Sequence, residues 1–568
     1  MQRPLIVLKL GGSVLTDRDA LRRAVHEIYR WHREGWRVIA VPSALAGVTD
    51  ARLRAATDYS PRIRPHALAA SLALGETQSA AELNLVLDRA GVPSVVLSPG
   101  AIGLRAAGPA LDADPIDVNA DRIRAALRHS VAIIPGFLGI DAAGATVTLG
   151  RGGSDLTALF LAHRLRADKC RLIKDVDGLY RHDPALPGPP PDRYTAITWA
   201  DALRLDGSIV QHKAVAFALE HAISFEVTRI NGVDPTIVGP GPSRLEPPVA
   251  APARLSIALL GFGTVGAGVH ALARELPGVE IRAIARRRPV PPDAAIDGVP
   301  FVPADRIPTL GADVVIEAIG GVDPARSLIA AALQAGSHVI TANKSVIAAH
   351  GPELRALADR AGVRLLFSAS VGGSVPVLEH IRFADQPVIA LRGILNGTTN
   401  FVLDRIASGE PWPRALAEAR SIGLAEADPS RDLDGQDAAD KLAVIAQISG
   451  APPLRTTAIP RDPLSPQRLQ SASGPIPRQV AAIAIDADSA RASVRIQELD
   501  PQDPLATITE ESNGVELRFR DHSTRLIHGR GAGRWPTAES VLGDLLELIR
   551  DRGAAPAPST SRETALAL

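Results

Sequence analysis

Short apolar runs alternate with amphipathic segments along most of the chain, and this alternation predicts parallel strands joined by helices. In the first half, five apolar runs end in small or charged residues: Leu5–Leu10, Arg37–Val41, Ser94–Ser98, Val131–Phe137 and Arg171–Tyr180. A helix is predicted between the first two, from about Asp19 to Glu34. Because ligands bind at the carboxyl ends of parallel strands, we expect a site at that edge of the sheet.

The second half repeats the pattern with four apolar strands, which cover Leu255–Leu260, Glu280–Ala285, Asp313–Gly321 and His338–Lys344. The first strand runs into Gly261, Gly263 and Gly266, which have the spacing Gly-x-Gly-x-x-Gly and precede a predicted helix. A strand, this glycine spacing and a helix are together typical of a dinucleotide-binding fold.

A later helix is predicted over Gln436–Ser449, after a turn at Asp434-Gly435 and before a stop at Gly450. It places Asp437 and Lys441 on one face, four residues apart. Such a pair is often an ordinary surface ion pair. Only six of the 62 basic residues are lysines, however, which favours sites where a compact ammonium with a tunable pKa is needed.

Length and composition bound the remaining possibilities. A chain of 568 residues is too long for one core, so three or four domains are expected. The formal net charge is zero and no basic patch indicates nucleic-acid binding. The single cysteine excludes an intramolecular disulfide, and with no signal peptide and no run of about 20 apolar residues we expect a soluble, cytoplasmic protein.

The first strand ends at Lys9 and is followed by Gly11-Gly12, a possible phosphate cradle that also fits a plain turn. Other motifs accompany it: Ser43-Ala with Gly47-Val-Thr-Asp, Gly75-Glu76, Arg151-Gly-Gly-Ser-Asp155, and Lys174-Asp-Val-Asp-Gly-Leu-Tyr180 with Asp183-Pro184. Together these motifs resemble the aspartokinases of the amino-acid kinase superfamily, over about Leu5 to Val238.

That resemblance implies phosphorylation of L-aspartate by ATP with Mg²⁺. Catalysis falls to Lys9 and Asp155, and the backbone amides of Gly11 and Gly12 contact the transferring phosphoryl group. Arg151 would bind the substrate's α-carboxylate and Glu76 its ammonium group. The other implied substrate residues are Ser43, Thr49 and Ser154, and the other implied nucleotide residues are Lys174, Asp175, Asp177, Tyr180 and Lys213.

Two departures from the aspartokinase pattern bear on activity. The start Lys9-Leu-Gly-Gly-Ser-Val is closer to the wider superfamily than to aspartokinases, and Ile209 aligns with the family's second nucleotide-site lysine. Lys213 is the possible substitute. Two alternatives therefore stay open: a first half that only binds or assembles, and a kinase for another acid such as glutamate or acetylglutamate.

The second half carries longer motifs, namely Ser368–Pro376, Gly393–Asn400, Glu426–Lys441 and Gly529–Ala538. Their order resembles homoserine dehydrogenase from about Leu255 to Arg550. This implies hydride transfer between a nicotinamide and aspartate semialdehyde. Lys441 would be the acid, Lys344 its helper and Asp437 the orienting group, while Glu426 and Asp432 would bind the substrate's ammonium.

The same resemblance implies a cofactor site and a possible ion site. The implied cofactor residues are Gly261, Gly263, Thr264, Val265, Gly266, Arg286, Arg287, Thr341 and Lys344. Arginines after the second strand suit the 2′-phosphate of NADP, although NAD stays possible. A sodium-like ion would be bound by backbone carbonyls of Ser368, Val371, Gly373 and Val375, although Ser368 replaces the family's glutamate.

The expected architecture is an α/β chain: an amino-acid-kinase parallel-sheet sandwich, then a Rossmann nucleotide-binding domain with an inserted α+β substrate and dimerisation domain. We predict a kinase domain at 1–238, a proline-rich linker at 239–254, an NADP-binding domain at 255–383 and 527–552, a catalytic domain at 384–526, and a disordered tail at 553–568. The linker leaves no room for a regulatory ACT domain, so no feedback control by lysine or threonine through one is expected. A homo-oligomer, at least a dimer, is also expected.

Overall fold

The computed structural model describes residues 3–553 apart from 61, 185, 187–190, 248–253, 287–290, 292–293, 427, 453, 467–475 and 487–488. Arg287, the middle of the predicted linker and nearly all of the predicted tail lie outside the described residues. In the described part of the chain, no helix has the length and apolar character needed to cross a membrane.

Nine strands of the first half form one mostly parallel sheet: β1 (Leu5–Leu10), β2 (Arg37–Pro42), β3 (Ser94–Val96), β6 (Val131–Ile133), β9 (Lys169–Ile173), β10 (Arg193–Thr198), β11 (Phe225–Thr228), β12 (Thr236–Gly239) and β13 (Arg244–Glu246). Their order is β13-β10-β12-β11-β9-β1-β2-β6-β3. A small second sheet contains β4 (Arg105–Ala107), β5 (Asp114–Asp117), β7 (Leu138–Ile140) and β8 (Thr146–Thr148).

Seven helices accompany these sheets: α1 (Arg18–Arg33), α2 (Val48–Tyr59), α3 (Pro65–Arg89), α4 (Ala120–Ala126), α5 (Gly153–Leu165), α6 (Trp199–Ala202) and α7 (His212–Glu220). Strand β1 is buried on both faces. Leu5 and Val7 share a core with α5 and α7, and Ile6 and Leu8 share another with α1 and α3. Helices therefore cover both sides of the sheet, which confirms the predicted sandwich.

The end of the first half differs from the sequence prediction in one respect. Residues 244–246, placed in the linker by composition, form edge strand β13, which pairs antiparallel with β10. The backbone of this segment pairs with β10, while its three side chains are exposed. Its apolar content therefore gave no signal for a strand.

A second parallel sheet contains β14 (Leu255–Leu260), β15 (Val279–Ala285), β18 (Val314–Glu317), β19 (His338–Thr341) and β20 (Leu365–Leu366), in the order β15-β14-β18-β19-β20. A hairpin of β16 (Ala295–Ile296) and β17 (Val299–Pro300) lies beside it. The helices on its faces are α8 (Thr264–Ala273), α9 (Ala325–Gln334), α10 (Lys344–Ala361) and the last helix, α16 (Arg534–Gly553). This is the predicted Rossmann arrangement.

Between α10 and α16 the chain forms an antiparallel sheet of β21 (Val388–Ile394), β22 (Pro477–Ile485), β23 (Ala490–Glu498), β24 (Ser512–Phe519) and β25 (Thr524–Arg530), in the order β23-β22-β21-β24-β25. Its helices are α11 (Val377–Arg382), α12 (Gly397–Ala407), α13 (Trp412–Ser421), α14 (Ser430–Leu433) and α15 (Gln436–Ile448). Short 3₁₀ segments lie at Ala304–Thr309, Ser368–Ser370, Thr456–Ala458 and Pro504–Thr507.

Helix α16 connects the two halves of the molecule. It packs on α8, and it also contacts α1 of the first half. At that contact the Arg33 guanidinium lies 2.8 Å from the Asp544 carboxylate, 3.2 Å from Glu547 and 3.3 Å from Glu379. Arg33, Asp544 and Glu379 are each at most 2% exposed, so this is a buried ion cluster between the domains.

Candidate active sites

The helix predicted over Gln436–Ser449 forms as α15, and it brings three charged groups together. Gly435 precedes it in a left-handed conformation with φ of 78°, which starts the helix so that Asp437 lies in its first turn. The Asp437 carboxylate lies 2.8 Å from the Lys441 ammonium and 2.6 Å from that of Lys344, at the start of α10. Lys441 also donates to the carbonyl of Leu395. The Asp437–Lys441 pair is therefore a buried element of a cluster and not a surface ion pair.

Asn396 joins this cluster, although the sequence did not single it out as a site residue. Its side-chain nitrogen donates to Asp437 at 2.9 Å and to Asp432 at 2.8 Å. Asn396 lies two residues after the end of β21 and is also the N-cap of α12. Its place at a strand end was the available signal. Glu426 is exposed, and no contact with this cluster is described for it.

The charges in this cluster fix its protonation pattern. Burial opposes ionisation of Asp437, but the ammonium groups of Lys441 and Lys344 outweigh it and hold the pKa of the carboxyl well below its usual range. The Asp437 charge in turn raises the pKa of Lys344. Burial raises the pKa of Asp432, which has no cation in contact among the described residues. Asp437 is thus a fixed anion between two lysines.

The glycine motif forms a tight turn between β14 and α8. Gly261 has φ of 117°, and a Cβ there would lie 2.5 Å from the Ala318 carbonyl oxygen. A Cβ on Gly266 would lie 2.0 Å from the Gly261 carbonyl oxygen. Only glycine fits either position, and Gly263, Thr264 and Val265 complete the turn into the helix. This is the geometry that presents a helix N-terminus to a pyrophosphate.

Glu317 and Thr341 lie at the carboxyl ends of adjacent strands β18 and β19. Both are fully buried, and the Thr341 hydroxyl donates to the Glu317 carboxylate at 2.5 Å. Backbone amides of Ile319 and Gly320 donate to the same carboxylate. Burial raises the pKa of Glu317. This network fixes the loops that surround the expected nicotinamide position. Thr341 is also only three residues before Lys344.

Two further cofactor predictions fall at the edge of the described structure. Arg286 is exposed just after β15, and its guanidinium lies 5.8 Å from the centre of the Phe301 ring. Arg287 lies outside the described residues. The preference for NADP therefore stays a prediction that depends on Arg286 and its neighbours.

The loop predicted to hold a monovalent ion is buried between the two halves. Ser368, Val371 and Val375 are buried, and Gly373 lies against the backbone of Gly531. Ser368 donates to Asp544 through its backbone and its hydroxyl, at 3.0 and 2.7 Å. The Asp544 carboxylate is already paired with Arg33. An ion at this loop would therefore be bound by the neutral carbonyl oxygens of the loop. The ion stays a prediction.

In the first half, Lys9, Asp155 and Lys174 come from three separate elements and form one buried cluster. The Asp155 carboxylate lies 2.7 Å from the Lys9 ammonium and 2.8 Å from that of Lys174. Burial opposes ionisation of Asp155, but the two lysines outweigh it and lower its pKa. Burial lowers the pKa of Lys9 to about 8.

A cavity of about 940 Å³ opens at this cluster. It is lined by most of the predicted kinase residues: Lys9, Gly11, Gly12, Ser43, Thr49, Glu76, Arg151, Ser154, Asp155, Lys174 and Asp175. One carboxylate oxygen of Glu76 accepts from the amide of Ala44 at 3.4 Å, and the other has no partner among the described residues. Burial raises the pKa of Glu76 to about 7. An unpartnered carboxylate in a cavity is suited to bind a cation.

The remaining predicted nucleotide residues lie outside this lining. Tyr180 lines an adjoining cavity of about 310 Å³, and its hydroxyl donates to Asp177. Asp183, Ser208 and Ile209 line both cavities, which makes them neighbours. The Lys213 ammonium instead lies 2.7 Å from Asp112, in the loop before β5. Its predicted contact with a nucleotide stays a prediction.

Three family models match successive parts of the chain. Residues 4–228 match the amino acid kinase family, residues 261–368 the NAD-binding domain of homoserine dehydrogenase, and residues 376–546 homoserine dehydrogenase. The fold and both sites therefore define a chain with an amino acid kinase domain followed by the two domains of a nicotinamide-dependent dehydrogenase.

Several bacterial homoserine dehydrogenases each match about half of the chain. The homoserine dehydrogenase of Synechocystis sp. is 31% identical over 326 residues, covering 52% of this chain and 73% of the relative. That of Corynebacterium glutamicum is 35% identical over 341 residues, covering 54% and 75%. That of Pseudomonas aeruginosa is 35% identical over 318 residues, covering 52% and 72%. The chain belongs to the homoserine dehydrogenase family.

Proposed function

We propose that the chain catalyses two reactions: phosphorylation of L-aspartate by ATP to 4-phospho-L-aspartate, and interconversion of L-aspartate 4-semialdehyde and L-homoserine with a nicotinamide cofactor. These are the first and third steps from aspartate towards threonine and methionine. The reductase that joins them is not among the three matched domains, so aspartyl phosphate leaves the first site before it returns as semialdehyde.

The dehydrogenase proposal depends mainly on the buried Lys441–Asp437–Lys344 cluster. When bound, the reduced nicotinamide supplies a hydride to C4 of the aldehyde, whose oxygen then gains negative charge. The Lys441 ammonium stabilises that charge and donates the proton that completes the alcohol. Asp437 raises the pKa of Lys344 and orients the Lys441 ammonium by direct contact, and Asp432 binds the substrate's ammonium. In the oxidation direction, Lys441 takes the proton back.

The kinase proposal depends on two ammonium groups at one carboxylate. Phosphoryl transfer to a carboxylate brings two anions together, so cations and N–H donors matter more than a covalent catalyst. Lys9 and the amides of Gly11 and Gly12 neutralise the transferring group. Asp155 holds Lys9 and Lys174 side by side, and Arg151 and Glu76 bind the α-carboxylate and the ammonium of aspartate. ATP enters as its Mg²⁺ complex.

The test measures both reactions in one preparation. ATP-dependent formation of aspartyl hydroxamate reports the kinase, and oxidation of NADPH by aspartate semialdehyde reports the dehydrogenase. Lys9→Ala is expected to abolish the first reaction and retain the second. Glutamate and acetylglutamate in place of aspartate test the alternative substrates. Absence of hydroxamate from the intact protein would contradict the kinase proposal.

One observation favours a second role for the first half. The buried cluster of Arg33, Asp544 and Glu379 attaches the kinase domain to the dehydrogenase, as expected of an assembly module. This second role would hold by itself if the intact protein reduced semialdehyde but formed no hydroxamate. Breaking the contact should then lower the stability of the dehydrogenase domains.

Three finer proposals accompany the two reactions. We propose that NADPH is preferred over NADH because Arg286 follows β15. Arg286→Ala should therefore lower kcat/KM for NADPH and leave kcat/KM for NADH unchanged.

We propose a homo-oligomer of at least two chains, which light scattering of the protein eluting from a size-exclusion column would measure. We also propose that a monovalent ion binds the Ser368–Val375 loop, so replacing Na⁺ with a bulky organic cation should lower dehydrogenase activity.

A further inference from the structure

A third cavity, of about 460 Å³, lies between the two halves of the molecule and belongs to neither active site. The first half contributes Arg3, Arg37, Arg124 and Arg128 to its lining, and the second half contributes Ser523, Thr524 and Arg525 from the β24–β25 hairpin. None of these residues lines the kinase cavity. Five of the lining residues are arginines and only Asp121 is a carboxylate.

Three of these arginines have no counter-charge in contact. Asp121 is paired with Arg124 at 3.1 Å. Within the described part of the chain, no carboxylate oxygen lies within 4.0 Å of the guanidinium groups of Arg3, Arg37 or Arg525. Burial and the charges of Arg525 and Arg37 lower the pKa of Arg3 to about 10. Asp168 and Asp385 act on Arg37 and Arg525 from beyond contact distance, but burial outweighs them and lowers the pKa of both arginines. Like charges held together without anions in contact cost free energy unless a ligand neutralises them.

Neutral contacts hold these side chains in place. Arg3 donates to the carbonyl of Leu127 at 3.3 Å, and Arg37 donates through Nε to the carbonyl of Arg3 at 2.9 Å. The Arg525 guanidinium lies 4.9 Å from the centre of the Phe519 ring. Each guanidinium has five N–H donors, so most donors remain available to a ligand.

We infer that this cavity binds a small phosphate-type oxyanion, and that the ligand is held by both halves of the chain at once. Guanidinium forks match the paired oxygens of a phosphate, and the hydroxyls of Ser523 and Thr524 add neutral donors. A volume of about 460 Å³ lies in the range of small-molecule pockets. The source is either inorganic phosphate or a small phosphomonoester, since both present the same group.

The first experiment reads the site residue by residue in the intact protein. Phenylglyoxal modifies arginines, and peptide mass spectrometry measures the rate at each one. With phosphate present, modification of Arg37 and Arg525 should slow about fivefold relative to chloride of equal ionic strength. Arg518, which is exposed on β24 outside this cavity, is the control and should react equally in both. Equal rates at Arg37 and Arg525 would overturn the inference.

A second experiment titrates ligands into the parent, Arg525→Met and Arg518→Met proteins by calorimetry, each with NADPH bound, so that binding at the kinase site is common to all three and cancels in the comparison. Phosphate, phosphoglycolate and succinate are the probes, and tighter binding of phosphoglycolate would identify a phosphomonoester as the source. Arg525→Met, which keeps an aliphatic contact with Phe519, should weaken binding roughly tenfold, the loss of one charge-assisted hydrogen bond or more. Arg518→Met should bind as the parent does. Equal binding by Arg525→Met, or preference for succinate, would contradict the assignment.

Discussion

At the residue scale, Lys441 is the group on which the proposed reduction depends. Its ammonium is buried, it is 2.8 Å from Asp437, and it donates to the Leu395 carbonyl. Lys344 touches the same carboxylate but has a side chain 35% exposed. The more enclosed lysine is better placed to donate a proton to an oxyanion shielded from water.

Lys441→Met should lower kcat for semialdehyde reduction by roughly 10²- to 10⁴-fold, the usual loss when a general acid is removed. NADPH oxidation measures it, and hydroxamate formation should be unchanged because the kinase site is separate. Lys169→Met is the matched control, since Lys169 is a partly exposed lysine paired with Glu226 far from this cluster. A variant that keeps more than half of the parent kcat would assign the proton to Lys344 instead.

The kcat/KM of the kinase reaction should be high only over a narrow range of pH. Glu76 has its pKa raised by burial to about 7 and must be ionised to bind the substrate's ammonium. Lys9 has its pKa lowered by burial to about 8 and must be protonated to neutralise the phosphoryl group. The kcat/KM for aspartate, which reports the free enzyme, should therefore be highest between about pH 7 and 8 and decline on both sides.

Glu76→Gln is the control for this profile. It should lower kcat/KM and remove the acid limb while retaining the alkaline limb. The variant should also differ from the parent in the pH dependence of stability. In the parent the pKa of Glu76 exceeds the ordinary 4.5, so the native state binds this proton more tightly than the unfolded state and loses stability as the pH rises towards 7. The variant should lack that loss, because glutamine does not titrate. An unchanged acid limb in the variant would exclude Glu76 as its source.

The sequence motifs predicted which residues would lie near one another better than they predicted the contacts between them. Lys9, Asp155 and Lys174 were each named from a motif, yet the bridge between them needs three elements to pack together. Asp437 and Lys441 were paired correctly because helical spacing is local. Asn396 was given no role because an amide at a strand end is also common in turns.

At the element scale, the start of α15 sets the position of Asp437. Gly435 is left-handed, with φ of 78°, and a Cβ there would lie 3.1 Å from Val494. Apolar side chains at helical spacing predicted this helix to within one residue at its C-terminus. By contrast β13 was missed, since its three exposed side chains carry no apolar pattern.

Gly435→Ala should destabilise the protein by about 1–2 kcal/mol, the cost of a left-handed conformation for an L-residue, with a further cost from the Val494 contact. Chemical denaturation followed by fluorescence measures it, and dehydrogenase kcat should fall because Asp437 shifts. Gly100→Ala is the control, because a Cβ at Gly100 meets nothing within 4 Å and its φ is ordinary. Equal stability of both variants would contradict the prediction.

At the scale of the whole molecule, the two enzymes share a charged interface. Arg33 of α1 meets Asp544, Glu547 and Glu379, which belong to the second half of the chain. Burial raises the pKa of Glu379, which the Arg33 charge partly offsets. Sequence could not predict this contact, because Arg33 reads as an ordinary arginine in the last turn of a helix.

Arg33→Met should destabilise the protein by roughly 3–5 kcal/mol, because it leaves buried carboxylates without their cation. Urea denaturation monitored by loss of NADPH oxidation measures it. Arg18→Met, at the exposed start of the same helix, should change stability little. If Arg33→Met and Arg18→Met unfold at the same urea concentration, the contact contributes little to stability.

The position of α16 late in the chain determines when its contact with the first half can form during synthesis. The kinase sheet is complete in the chain at Glu246, whereas the helix that holds Asp544 and Glu547 ends at Gly553. At 5–20 residues per second the ribosome needs roughly 15–60 s to synthesise the intervening chain. During that interval the nascent kinase domain presents Arg33 and the adjoining face of α1 to solvent and to any chaperone that binds there. Among the helices of the described residues, the one that leaves the ribosome last is the one that covers that face.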